Sequence, residues 1–178
     1  MRKALLLSAV VISSAACSLE RVALRSTASL LDRGRIASLD EPDYQLAREA
    51  MASQLKLAET LLVSAPEDRG LRRLAAEAFG GSAFLFIEDP EPVRAKGLYL
   101  RGRDHALAAL ALKGGLRGLK ALPFERFEAA LKKAGKDEVP DLFWAAFSWA
   151  GWVNLSKDDA SALADLPIRE RRGWQTAS

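Results

Sequence analysis

The chain has 178 residues, 26 Lys and Arg against 23 Asp and Glu, one cysteine and one histidine. A lone cysteine cannot form an internal disulfide, and a single histidine leaves no metal-ligand cluster, so neither a disulfide scaffold nor a metal site is expected. The formal charge of +3 falls to +1 once Arg2 and Lys3 are set aside with a removable leader, and no block of Lys or Arg alternates with aromatics, which leaves no case for nucleic acid.

The leader comes first. Met1-Arg2-Lys3 is a basic start, Ala4 to Ile12 is apolar apart from Ser8, and Ser13-Ser14-Ala15-Ala16 are small residues before Cys17. The uncharged run from Ala4 to Ala16 spans about 20 Å as a helix, short of the roughly 30 Å hydrocarbon core, so it reads as a cleaved signal and not a membrane span. Ser14-Ala15-Ala16-Cys17 resembles a bacterial lipobox, although Ser14 stands where that pattern prefers a larger aliphatic. The resemblance implies cleavage before Cys17 and lipidation of its thiol. An ordinary signal cut after Ala16 and a misplaced start codon are the alternatives. Ser18, in place of Asp, favours the outer over the inner membrane where the enteric retention rule applies.

The remaining 162 residues are rich in Ala, Leu and Arg, with few β-branched residues, which predicts an all-α fold. A loosely patterned helix is expected over Leu19–Asp32, broken by Gly34. Asp40-Glu41-Pro42-Asp43 then opens a helix from Asp43 or Tyr44 to Ser64, whose buried side is expected to carry Leu46, Ala47, Ala50, Met51, Gln54, Leu55, Ala58, Leu61 and Leu62. The next helix, Arg69 to Ile87, places Leu71, Leu74, Ala75, Ala78, Phe79, Ser82, Ala83 and Phe86 on one face. Gly80-Gly81 weakens it by about 1 kcal/mol per glycine but allows a neighbouring helix to approach closely.

A second acidic, proline-bearing turn, Glu88 to Pro92, precedes a helix from Val93 to Lys113 with Ala95, Leu98, Tyr99, Gly102, His105, Ala106 and Ala109 on one face. Gly114 to Gly118 lacks the spacing of a phosphate-binding loop and reads as a connection. A short helix over Pro123–Ala134 follows, closed by Gly135. The aromatic segment Leu142 to Leu155 comes next, and Ser156 with Asp159 predicts a capping box for a last helix to about Leu166. Four parts result: a signal at 1–16, a lipidated tether and first helix at 17–42, a helical-repeat domain at 43–166 and an irregular tail at 167–178. Antiparallel helix pairs joined by short turns predict a tetratricopeptide-like solenoid, with Ala95, Tyr99 and Gly102 near the spacing of such a repeat.

Trp144, Trp149 and Trp152 fall with Phe143 and Phe147 within a broad stripe of one helix. Such a stripe either lines a cavity for an apolar ligand or packs between repeats, and packing is the usual outcome. His105 has no nucleophile or orienting carboxylate on its own helix face, since Asp104 points elsewhere, and reads as an interhelix or surface residue. Arg101, Arg103 and Asp104 read as solvated or ion-paired. No serine-nucleophile motif, acid pair or cofactor fingerprint is present, so no catalytic residue and no cofactor is assigned and an enzyme is not expected.

Three segments together resemble one family. They are Asp40 to Leu62, Phe86 to Asp89 with Leu98 to Leu107, and Val139 to Trp144 with Trp149 to Asp159. They look like the T component found with certain TRAP transporters, over about residues 17–166. The resemblance implies a bacterial lipoprotein of tetratricopeptide-like helices, a periplasmic partner of the solute-binding P component. It also implies a trimer with pores that handles hydrophobic ligands. Family members continue beyond the position of Pro167 with further repeats, so the chain reads as a shortened or frameshifted member. A ligand carrier acting without a transporter is the alternative, and an enzyme with an unrecognised site is the third reading.

Overall fold

The computed structural model describes residues 26–31, 33, 34, 36, 37, 40–160 and 162, and these form helices and turns with no strand among them. The leader, Cys17 and the tail at 167–178 lie outside the described residues, as does most of the expected last helix. The described residues from 26 to 37 are helical, Gly34 included, so the expected break at that glycine does not occur. Nothing stands within 4 Å of where a Gly34 side chain would be, and a single glycine weakens a helix without having to end it.

Helix α1 (Tyr44–Ser64) starts on Asp43, whose Oδ1 accepts from the Leu46 N–H at 2.9 Å. Helix α2 (Arg69–Ser82) starts the same way, with Asp68 Oδ1 accepting from Leu71 N–H at 2.9 Å. Each cap satisfies an otherwise orphaned amide and is worth about 1 kcal/mol. Helices α3 (Pro92–Ala111) and α5 (Val139–Leu155) instead carry a proline in the first turn, where no intrahelical N–H is needed. Between them lie the short helix α4 (Phe124–Leu131) and single 3₁₀ turns at Gly114–Leu116, Leu119–Ala121 and Lys136–Glu138.

In α1 the buried stripe is Ala47, Met51, Leu55, Ala58 and Leu62. Leu46 was expected on that side but is 52% exposed, because it sits one residue off the stripe that Ala47 begins. All eight residues expected to be buried along Arg69–Ile87 are buried. The α-helix itself ends at Ser82, and Ala83–Ile87 continue as a π turn in which Glu88 N–H bonds Ala83 O at 2.8 Å. That wider turn buries Phe86 and Ile87 and turns Phe84 and Leu85 outward.

Packed helix pairs make up the array. Helix α1 lies on α2, with Met51 against Gly81, and α2 runs antiparallel to α3, with Phe79 stacked on His105 at 5.5 Å. Helices α3 and α5 are also antiparallel: Tyr99 meets Gly151, and Gly102 meets Ser148. Helix α2 additionally runs parallel to α5, through Gly80 against Ser148 and Arg73 against Asp141. At the point where α2, α3 and α5 converge, a Cβ on Gly102 would come within 2.7 Å of Ser148 Oγ, 3.1 Å of Gly80 N and 3.2 Å of Ala76 O. The close approach expected of Gly80-Gly81 is therefore present, with Gly102 as its counterpart. At the other end of the array Ser156 does not start a helix. It is buried, its N–H bonds Val153 O at 3.0 Å as α5 ends, and helical residues resume only at Ala160 after Asp159.

Candidate functional site

An apolar cleft of about 730 Å³ lies between α3, α4 and α5. Leu107 and Leu110 of α3 form one wall, and Leu119 with Phe127 and Leu131 of α4 form a second. Helix α5 supplies the floor from Leu142 through Ala145, Trp149 and Val153. The floor extends to Lys157 just past the helix, a run of about 22 Å at the helical rise. Among the described residues, the polar side chains on the lining besides the Trp149 indole are Asn154 and Lys157, both at the C-terminal end of α5. The volume falls within the range of about 300–1,000 Å³ typical of small-molecule sites, and the predominance of aliphatic walls is also typical of them.

The three tryptophans do not share one environment. Trp149 borders the cleft, is 6% exposed, and has an Arg103 guanidinium over its ring at 5.4 Å. Its Nε1–H is buried without an acceptor, so the indole offers the cleft carbon and keeps its donor inside. Trp152, 5.7 Å below the same guanidinium, packs with the group around Tyr99 and Phe86. Trp144 touches Phe143 and Phe147 at 5.0 and 5.4 Å and borders a different, more polar space of about 630 Å³ beside Arg73, Glu77 and Pro140. The expected single stripe splits because Trp144 and Trp149, five residues apart, point about 140° apart around the helix. Of the two alternatives for Arg103, solvated or ion-paired, the ion pair holds: it is buried and bonds Asp104 at 2.9 Å.

His105 lies half-buried between Phe79 and the charged group of Glu59, Arg72 and Arg101. Burial, then the Arg72 charge, lowers its pKa and favours the neutral ring. Arg101 caps the other ring environment of that site, 4.0 Å over Phe79, and pairs with Glu59. Burial alone would raise the Glu59 carboxyl, but its bonds to Lys56 and Arg101 outweigh this and hold it below the usual range. Tyr99 donates to Glu88; burial and that carboxylate push its phenol well up.

An ionic cluster missed in the sequence joins α2 to the start of α5. Asp141, fully buried, accepts from Arg69 Nε at 2.7 Å and Arg73 Nε at 2.5 Å. Buried Glu138 accepts the Gly135 N–H at 2.8 Å and faces Arg69 and Lys113 at 3.1 and 3.5 Å. The Gly135 bond, against an opposing effect of burial and with help from Lys113 and Arg69, lowers its pKa. Both Asp141 oxygens and Glu138 Oε2 accept hydrogen bonds within the fold, while buried Glu138 Oε1 faces the Arg69 and Lys113 cations without a hydrogen bond, so the cluster acts as a structural clamp. Among the described residues no group of three or more His, Cys, Asp or Glu is arranged to hold a metal, and no helix is long and apolar enough to cross a membrane.

The cleft residues on α4 and the preceding turn were also missed. Phe127 and Leu131 do have helical spacing, but only the fold-back of the 3₁₀ turns brings them to the cleft beside α5. Residues 40–171 match the family described as TAtT: TRAP transporter T-component. No curated protein and no solved structure matches the chain.

Proposed function

The chain belongs to the TRAP transporter T-component family, whose match spans 40–171, and from that premise we propose a lipid-anchored periplasmic binding protein that engages the P component and holds a hydrophobic ligand. The apolar cleft between α3, α4 and α5 is the observation that carries the ligand part of this reading. Its walls offer mostly hydrocarbon, which supports recognition of an apolar ligand. Burial of a ligand's apolar surface there contributes about 25 cal/mol per Å².

Cys17 is the proposed acylation site, placing the helical array near a membrane, with the outer membrane favoured by Ser18. The helix pairs support a tetratricopeptide-like arrangement, and a trimer is the assembly that the family resemblance implies. The deciding experiment exposes the full-length exported protein to the P component encoded in the same genome. Co-elution with a dissociation constant in the micromolar range or tighter is expected; no association, with helicity intact by circular dichroism, removes the partner. Fatty-acid labelling of wild type and its loss in Cys17→Ala tests the anchor, and labelling that persists in the variant removes it. The stand-alone carrier reading rests on the same cleft and is separated by the first experiment, since a carrier binds ligand without the P component.

A further inference from the structure

The cleft is chemically lopsided. From Leu142 to Val153 of α5, a run of about 17 Å, its lining is hydrocarbon and indole carbon, and the polar side chains that the described residues bring to it gather at one end, on Asn154 and Lys157. Asn154 lies in the last turn of α5 and Lys157 just past its end, and both line the cleft. Both are exposed, and neither has a hydrogen-bond or ion-pair partner among the described residues.

Building on the ligand reading above, we propose that the cleft binds an elongated amphiphile with a single carboxylate, its head at Lys157 and Asn154 and its alkyl body between Leu110, Leu119, Phe127 and Leu142. One ammonium and one neutral amide match a monoanion; a dianionic phosphate calls for several donors. A cation at the end of α5 also has a local use, because the last carbonyls of a helix carry partial negative charge. That same negative end repels an anion, so the preference for a carboxylate depends on Lys157 alone.

The test titrates the full-length protein with hexadecanoate, 1-hexadecanol and hexadecylamine below their aggregation limits, following tryptophan emission and calorimetric heat. Hexadecanoate should bind about 5-fold more tightly than the alcohol, the size of an exposed ion pair with its hydrogen bonds. Lys157→Ala should erase that difference and favour the amine, while Lys157→Arg should keep it. A Lys157 that serves only the helix terminus would change thermal stability in Lys157→Ala and leave the order of the three ligands untouched, which overturns the proposal. Equal binding of acid and alcohol by the wild type also overturns it while leaving the hydrophobic cleft in place. Binding of none of the three removes both the headgroup assignment and the ligand reading on which it rests.

Discussion

Gly151 is held by a ring. A Cβ there would stand 2.5 Å from two Tyr99 ring carbons, and Tyr99 is itself buried and bonded to Glu88, so it cannot swing aside. Gly151→Ala should lower stability by about 2 kcal/mol, the overpacking cost exceeding the helix-propensity gain of about 1 kcal/mol; urea unfolding measures it. Gly80 gives a sharper case, because its near contact is one atom, Ser148 Oγ at 2.7 Å. Ser148 Oγ is buried without a partner, so Ser148→Ala should be neutral or stabilising, and Gly80→Ala should cost less in that background than in the wild type.

Titration follows the same local logic. His105 has a lowered folded pKa, so the unfolded chain binds its proton first, and stability falls as pH drops through the ordinary histidine value of about 6.5. Glu59 and Glu138, both lowered, add stability that is present above about pH 4.5 and lost below it. Tyr99, raised, makes stability fall above about pH 10, where only the unfolded phenol ionises. Urea midpoints measured across pH should therefore form a plateau between about 7 and 10, and His105→Gln should flatten the slope from 7 to 5.

At the level of elements, the clamp between α2 and α5 is the feature whose loss should be felt most. Asp141→Ala leaves Arg69 and Arg73 without their shared carboxylate, and because both guanidinium groups keep some solvent, a loss of about 2–3 kcal/mol is expected by thermal or urea unfolding. The starts of α1 to α3 and of α5 were legible in the sequence because Asp43, Asp68, Pro92 and Pro140 act within one turn. The π turn was not, since Ala83-Phe84-Leu85-Phe86-Ile87 is apolar throughout and carries no period. Ser156 misled for a related reason: its capping pattern with Asp159 is local, whereas its burial comes from packing. The cleft was legible only through Trp149. Leu107, Leu119, Phe127 and Leu131 meet because two 3₁₀ turns reverse the chain, with Gly118 at φ 69° between them, and no spacing rule encodes that convergence.

Across the whole molecule, the family match accounts for the array from Asp40 onward, and the apolar cleft lies inside that span. Interspersed charges leave the surface without one dominating sign, so salt should change the proposed contact with the P component only modestly; an affinity falling more than about 100-fold between 50 and 500 mM salt would point to a largely electrostatic interface. The parallel contact of α2 with α5 bears on how the chain becomes a protein at all. An array whose members touch only their neighbours melts in pieces, from either end. Here Arg69 and Arg73 wait on Asp141, some seventy residues downstream, and Gly80 waits on Ser148. The central helices cannot be completed on the ribosome until α5 has emerged, and they should be lost together in a single transition.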